Sequence, residues 1–230
     1  MCKPLNSAQT VAIKIWDIWI RLFHWSLAFL VVFLLISGTT GWQFYEWHRT
    51  GGEVVFALVL FRLCWGLVGS SNARLHTLFA NPRSALKHLS HLFRGNPAPE
   101  RGHNAAGGWA VLTMLALIAF QAGSGLLIAD EEEFIEGAFY GSLSYSLSAE
   151  LLQLHKMNAT AIKAIVVIHV LMVLLYFIRA SQNLIKPMLT GTMKWPSQRD
   201  IPSVTFQKSL IGLVILAACF ITVGLMLSWW

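Results

Sequence analysis

Charge is scarce in this chain. Of its 230 residues only 12% are Asp, Glu, Lys or Arg, about half the share usual in a soluble domain. Length alone allows one or two globular domains, yet no stretch is both long and polar enough to form one. The three cysteines, Cys2, Cys64 and Cys219, stand far apart in sequence. They make no Cys-x-x-Cys pair and no disulfide framework, so they read as bland thiols. No residue-level repeat is present, which excludes a solenoid. Acidic residues are outnumbered 11 to 17 by basic ones, giving a net charge of +6. Such a balance raises nucleic acid as a partner, but the basic residues lie between apolar blocks and do not gather into one patch. That distribution fits the cytoplasmic loops of a membrane protein and argues against nucleic acid.

What the chain has in abundance is long apolar runs. Hydrophobic residues make up 56% of the total, and mean hydropathy is +0.59. Five blocks cover residues 21–39, 48–69, 107–128, 159–178 and 209–229, the fourth with a helical extension back towards Glu150. A helix of about 20 apolar residues crosses a hydrocarbon layer of about 30 Å. The expected fold is an all-α integral membrane helix bundle, with four core spans and a fifth at the C-terminal end. In domain terms, residues 1–194 form the core and residues 195–230 a linker and the fifth span. The first block is too long, and residues 37–41 too poor a cleavage site, for a removed signal peptide.

Loop charge sets the orientation. Lys3, Lys14 and Arg21 precede or open the first span. Arg74, Arg83, Lys87, Arg94 and Arg101 lie between the second and third, and Arg179, Lys186, Lys194, Arg199 and Lys208 between the fourth and fifth. Apart from Arg49 the other two connections have almost no Lys or Arg. The N-terminus and the basic loops are therefore expected in the cytoplasm, and the C-terminus, with Trp229 and Trp230, on the periplasmic side. Asp130, Glu131, Glu132, Glu133 and Glu136 crowd the outer loop between spans three and four. They read either as a solvated loop or as a docking face for a positively charged partner.

Eight histidines divide into two sets. His76, His88, His91 and His103 belong to the basic connection, whereas His24, His48, His155 and His169 lie in apolar helices or at their ends. An ionisable side chain at membrane depth is costly and points to function, although a histidine there can also serve an interhelical hydrogen bond. His155 and His169 are fourteen residues apart. On one helix that spacing separates them by about 21 Å along the axis and leaves them on nearly the same face. Neutral imidazole suits iron, and a haem iron takes one ligand on each side of its ring. Depth matching pairs His24 with His169 on the inner side and His48 with His155 on the outer side.

Arg62 follows His48 by the same fourteen residues. A guanidinium at that depth needs an anion such as a haem propionate, or it snorkels to the interface. Arg21 and Lys163 are further propionate candidates. Gly38, Gly41, Gly66, Gly69, Gly123 and Gly125 fit either close helix contact or room for a flat macrocycle.

Several stretches carry a family resemblance: Arg21-Leu22-Phe23-His24-Trp25, Arg62-Leu63-Cys64-Trp65-Gly66 with Gly69-Ser70, Gly102-His103-Asn104, and Asn183-Leu184. Together they resemble the b-type cytochrome subunits of nickel–iron hydrogenases and the bacterial cytochrome b561 group, with similarity to the membrane subunit of formate dehydrogenases. Ala105 stands where that pattern often has proline, and the fifth span lies outside its haem-binding core.

The resemblance implies two haems b held by His24, His48, His155 and His169. It also places His103 and Asn104 at the edge of a quinone site. The implied activity is electron transfer between a periplasmic redox protein (a hydrogenase, a c-type cytochrome or another dehydrogenase) and quinone in the bacterial inner membrane. That makes the chain a redox subunit more than a self-sufficient enzyme. Two other readings stand beside it: a b561-like oxidase of a small reductant such as superoxide, and a haem-free anchor or transporter.

Overall fold

The computed structural model describes residues 10–94, 102–130, 135–197, 200–201 and 203–229. Arg101, Glu131, Glu132, Glu133, Arg199 and Trp230, together with Cys2 and Lys3, lie outside the described residues. Among the described residues seven α-helices and four short strands follow in chain order: β1 (Thr10–Lys14), α1 (Ile18–Ser37), α2 (Tyr45–Val68), α3 (Pro82–Phe93), α4 (Ala105–Gly125), β2 (Ala129–Asp130), β3 (Ile135–Glu136), α5 (Tyr145–Ala180), α6 (Ile185–Thr190), β4 (Thr192–Pro196) and α7 (Ser209–Met226). Five of these helices, α1, α2, α4, α5 and α7, are long and apolar enough to span a membrane. They correspond to the five expected blocks, and the protein is a multi-pass membrane helix bundle.

The helix starts have local causes. Before α1, the buried Asp17 accepts from the Ile20 amide at 2.8 Å, which satisfies one of the free donors of the first turn. Asn104 does the same for α4 through the Gly107 amide, also at 2.8 Å. Asn81 caps α3 ahead of Pro82, a residue favoured at the first helical position because its missing N–H would be unpaired there. Gly191 ends α6 at φ +81°, and a Cβ there would meet the Trp16 carbonyl oxygen at 2.8 Å.

The fourth span differs most from expectation. Its helix, α5, starts at Tyr145 and runs 36 residues without a break. At 1.5 Å per residue that is about 54 Å, well beyond the hydrocarbon thickness. His155 and His169 therefore share one uninterrupted helix.

In the bundle α2 is central, packing on α1, α4 and α7, while α4 in turn packs on α3 and α5. Among the described residues α5 leans closely on α4 but makes no extensive contact with α1 or α2. One core cluster lies at mid-bundle and joins Val31, Val55, Val59, Leu115, Ile118, Ala122 and Ile162. A second closes one end, where Ile13, Ile15, Trp16 and Ile20 meet Phe61, Trp65, Ala73, Trp195 and Cys219.

At that end β1 pairs antiparallel with β4, Thr10 opposite Pro196 and Lys14 opposite Thr192. The segment before the first span thus begins as a strand, and the 194/195 boundary expected from the sequence falls inside β4. The fifth span is built into the bundle. Trp19 donates to the Ser209 carbonyl at 3.1 Å, and its indole occupies the space a Cβ on Gly212 would take. Cys64 of α2 and Cys219 of α7, distant in sequence, are brought near each other where these helices pack, both as free thiols.

Candidate functional site

Three helices repeat one spacing. His24 and Val31 are seven residues apart on α1, and Gly38 follows seven later. On α2 the same steps connect His48, Val55 and Arg62; on α5 they connect His155, Ile162 and His169. Seven residues make nearly two turns, so each set lies along one stripe. Val31, Val55 and Ile162 all belong to the mid-bundle core, with Ile118 of α4 among them. The interior is therefore layered, with a polar level, an apolar level and a second polar level.

At one level His24 and His169 face each other across α1 and α5, ring centroids 6.4 Å apart and planes inclined at 54°. Metal–imidazole bonds of about 2 Å hold the ring centres of two imidazoles sharing one metal about 6 Å apart. His24 Nδ1 is buried and has no hydrogen-bond partner among the described residues, so the fold leaves polar capacity on that ring unused.

At the other level His48 and His155 lie within electrostatic range of each other, and each is held in the same way. His48 Nδ1 shares a hydrogen bond with the Ser37 hydroxyl at 3.0 Å, and His155 Nδ1 with the Ser124 hydroxyl at 2.8 Å. A glycine follows each serine. A Cβ on Gly38 would meet His48 Cε1 at 3.0 Å, and one on Gly125 would meet His155 Cε1 at 3.2 Å. A partner on Nδ1 fixes ring orientation and leaves Nε2 for a metal. The donor set, its facing geometry and the stand-off of α5 from α1 and α2 fit haem held between helices.

His103 and Asn104 sit beside the first level. The His103 ring lies 4.9 Å from Trp16 between centroids. It is exposed; desolvation by the residues around it, then the charge of Arg62, lower its imidazole pKa, so it is neutral near pH 7. Asn104, besides capping α4, donates to the Tyr176 hydroxyl at 2.7 Å. That hydroxyl also meets His88 Nε2 at 2.5 Å.

The three propionate candidates separate. Arg62 is buried and donates to the Ala73 carbonyl at 2.9 Å, close to the charge of Asp17. Arg21 donates to the Leu189 carbonyl at 2.5 Å, and to Asp17 O at 3.4 Å. Lys163 is exposed; the lysine electrically near His155 is Lys156, which pairs with Asp130 at 3.8 Å. Arg49 pairs with the buried Glu53 at 3.2 Å, and Glu53 also accepts from the Trp229 indole at 2.6 Å.

Sequence reasoning missed Ser37, Ser124, Tyr176 and His88. Two Ser-Gly steps, Ser37-Gly38 and Ser124-Gly125, were a signal for the first pair.

Fold and site together define an integral membrane helix bundle whose interior presents imidazoles between helices, an architecture suited to redox cofactors. The family described as prokaryotic cytochrome b561 matches residues 15–191, and this chain belongs to that family. Its activity is transmembrane electron transfer by b-type haem. The match runs from the lead-in of α1 through α6 and leaves α7 outside. A search of curated proteins gives no match.

Proposed function

We propose that the chain carries electrons across the bacterial inner membrane through two haems b, between a periplasmic redox protein and the quinone pool. In this reading His24 and His169 are the axial pair of the inner haem, and His48 and His155 that of the outer one. The N-terminus is cytoplasmic and the C-terminus periplasmic. The observation that carries the proposal is the 6.4 Å approach of His24 and His169 across helices that do not otherwise pack extensively.

When bound, haem b supplies one-electron chemistry. The residues do the rest. Ser37 and Ser124 fix the outer rings through Nδ1, and Arg62, with guanidinium donors beyond the one used on Ala73, is available to a propionate. Arg21 and Lys163 are the further candidates for that role. His103, neutral and beside the inner level, and Asn104 form the edge where a quinone carbonyl accepts a hydrogen bond. Glu136, exposed on the described flank of the acidic loop, supports docking of a positively charged partner there, whereas Asp130 is paired with Lys156. Hydrogenase, a c-type cytochrome and another dehydrogenase are the candidate partners. A superoxide-oxidising role needs a basic outer pocket, and Arg49 already commits its charge to Glu53.

The test is haem content. Wild-type protein is expected to hold two haems per chain, and His155→Ala and His169→Ala one each. Unchanged stoichiometry in both variants would refute the shared-helix arrangement, and a colourless wild-type preparation would refute the whole reading.

A further inference from the structure

The amphipathic helix α3 (Pro82–Phe93) has three sides. Leu92 is fully buried, facing the bundle where α3 packs on α4. On the same flank the His88 ring stacks on Tyr176, centroids 6.2 Å apart, and shares the hydrogen bond to its hydroxyl. Leu86 and Phe93, seven residues apart and so on one line, are 69% and 60% exposed. Beyond them, Arg83 and Lys87, together with Arg94 directly after the helix, fall within a sector of about 40° at 100° per residue. An exposed apolar line beside a cationic stripe is the pattern of a helix lying in a membrane interface.

Its depth has an independent marker. Trp109, in the first turns of the membrane-spanning α4, donates its indole N–H to the Ala80 carbonyl at 2.9 Å. Phe79 stands edge-on to it, centroids 6.2 Å apart. Both rings are exposed, and Trp near the end of a spanning helix favours the headgroup level. The chain entering α3 is therefore tied to that level two residues before the helix begins.

We propose that α3 is an interfacial helix that binds anionic phospholipid. Leu86 and Phe93 enter the acyl boundary, and Arg83, Lys87 and Arg94 take the headgroup phosphates. A soluble protein partner would need to cover an exposed apolar line directly continuous with the belt of Phe79 and Trp109; lipid already occupies that level around any spanning helix.

The test uses the full chain with its haem in nanodiscs, on a background whose natural cysteines are replaced and whose haem spectrum is retained. Fluorophores are attached through Leu86→Cys, Phe93→Cys or Ser84→Cys. Lipids carrying a nitroxide near the glycerol level are expected to quench the first two labels and spare the third. Absence of quenching at both Leu86 and Phe93 overturns the proposal and favours a protein covering the helix. Phosphatidylglycerol carrying the quencher should act at roughly 100-fold lower mole fraction than labelled phosphatidylcholine, since each of the three basic residues near an anionic surface contributes about 1 kcal/mol. That preference should vanish in the triple variant R83Q/K87Q/R94Q and weaken at high salt. Equal action of the two lipids on wild-type protein would also overturn it.

Discussion

Serine does modest but specific work here. Ser37 and Ser124 each approach a histidine nitrogen on a neighbouring helix, and each is followed by a glycine that lets the ring come close. Partners of this kind change metal affinity by about 10–100-fold when removed. On the two-haem proposal, Ser37→Ala and Ser124→Ala are therefore expected to retain the fold while binding the outer haem about 10–100-fold more weakly, read by haem titration. The inner haem would then serve as an internal control. Gly125→Val should be more severe, since a Cβ alone already lies 3.2 Å from the ring; on the same proposal, the outer haem's contribution would disappear from the spectrum.

The histidines were legible because ionisable residues stand out in apolar runs, and a fourteen-residue spacing has a simple helical meaning. The serines were not, since Ser before Gly in such a helix also reads as ordinary small-residue packing. Cys64 and Cys219 show the same limit, because their approach depends on which helices pack and on nothing local.

Helix existence was easily read, and helix ends less so. Hydropathy located all five spans, but α5 begins far outside the apolar window because its first turns are polar and helical at once. Two short helices, α3 and α6, and the β1–β4 pairing lay beyond that reading. A five-residue strand carries little signal, and its partner is some 180 residues away.

Asn104 shows what a single capping residue does at this scale. Asn104→Asp keeps the acceptor for the Gly107 amide but loses the donor to Tyr176, whereas Asn104→Ala loses both. The alanine variant should be less stable by about 1 kcal/mol from the lost cap, and the aspartate variant should recover that part. Thermal loss of the haem absorbance provides the measurement. If His103 and Asn104 edge a quinone site, both variants should also raise the KM for quinol.

The whole molecule joins the family-matched part, residues 15–191, to a seventh helix that this match does not include. The Trp229 indole anchors α7 to the buried Glu53. In Trp229→Phe that carboxylate keeps Arg49 but loses a donor, a change worth roughly 1–3 kcal/mol when a buried charged acceptor is left short, visible as a lower thermal midpoint. Charge acts over the longer range. If the acidic connection steers a cationic partner, raising salt from low to physiological levels should slow electron exchange with it, and Glu136→Gln should flatten that dependence. Salt-independent rates in stopped-flow traces would remove the docking role.

The apolar layer of Val31, Val55, Ile118 and Ile162 between the two polar levels has an electrical consequence. His155 and His169 are about 21 Å apart along α5, some two-thirds of a hydrocarbon layer about 30 Å thick. An electron moving from one level to the other therefore traverses most of the insulating dielectric. At 100 mV the full thickness corresponds to about 2.3 kcal/mol per charge, so this step works with or against roughly 1.5 kcal/mol of membrane voltage. If both levels hold haem, as proposed, exchange between them would be an electrogenic event that an energised bilayer speeds in one direction and brakes in the other.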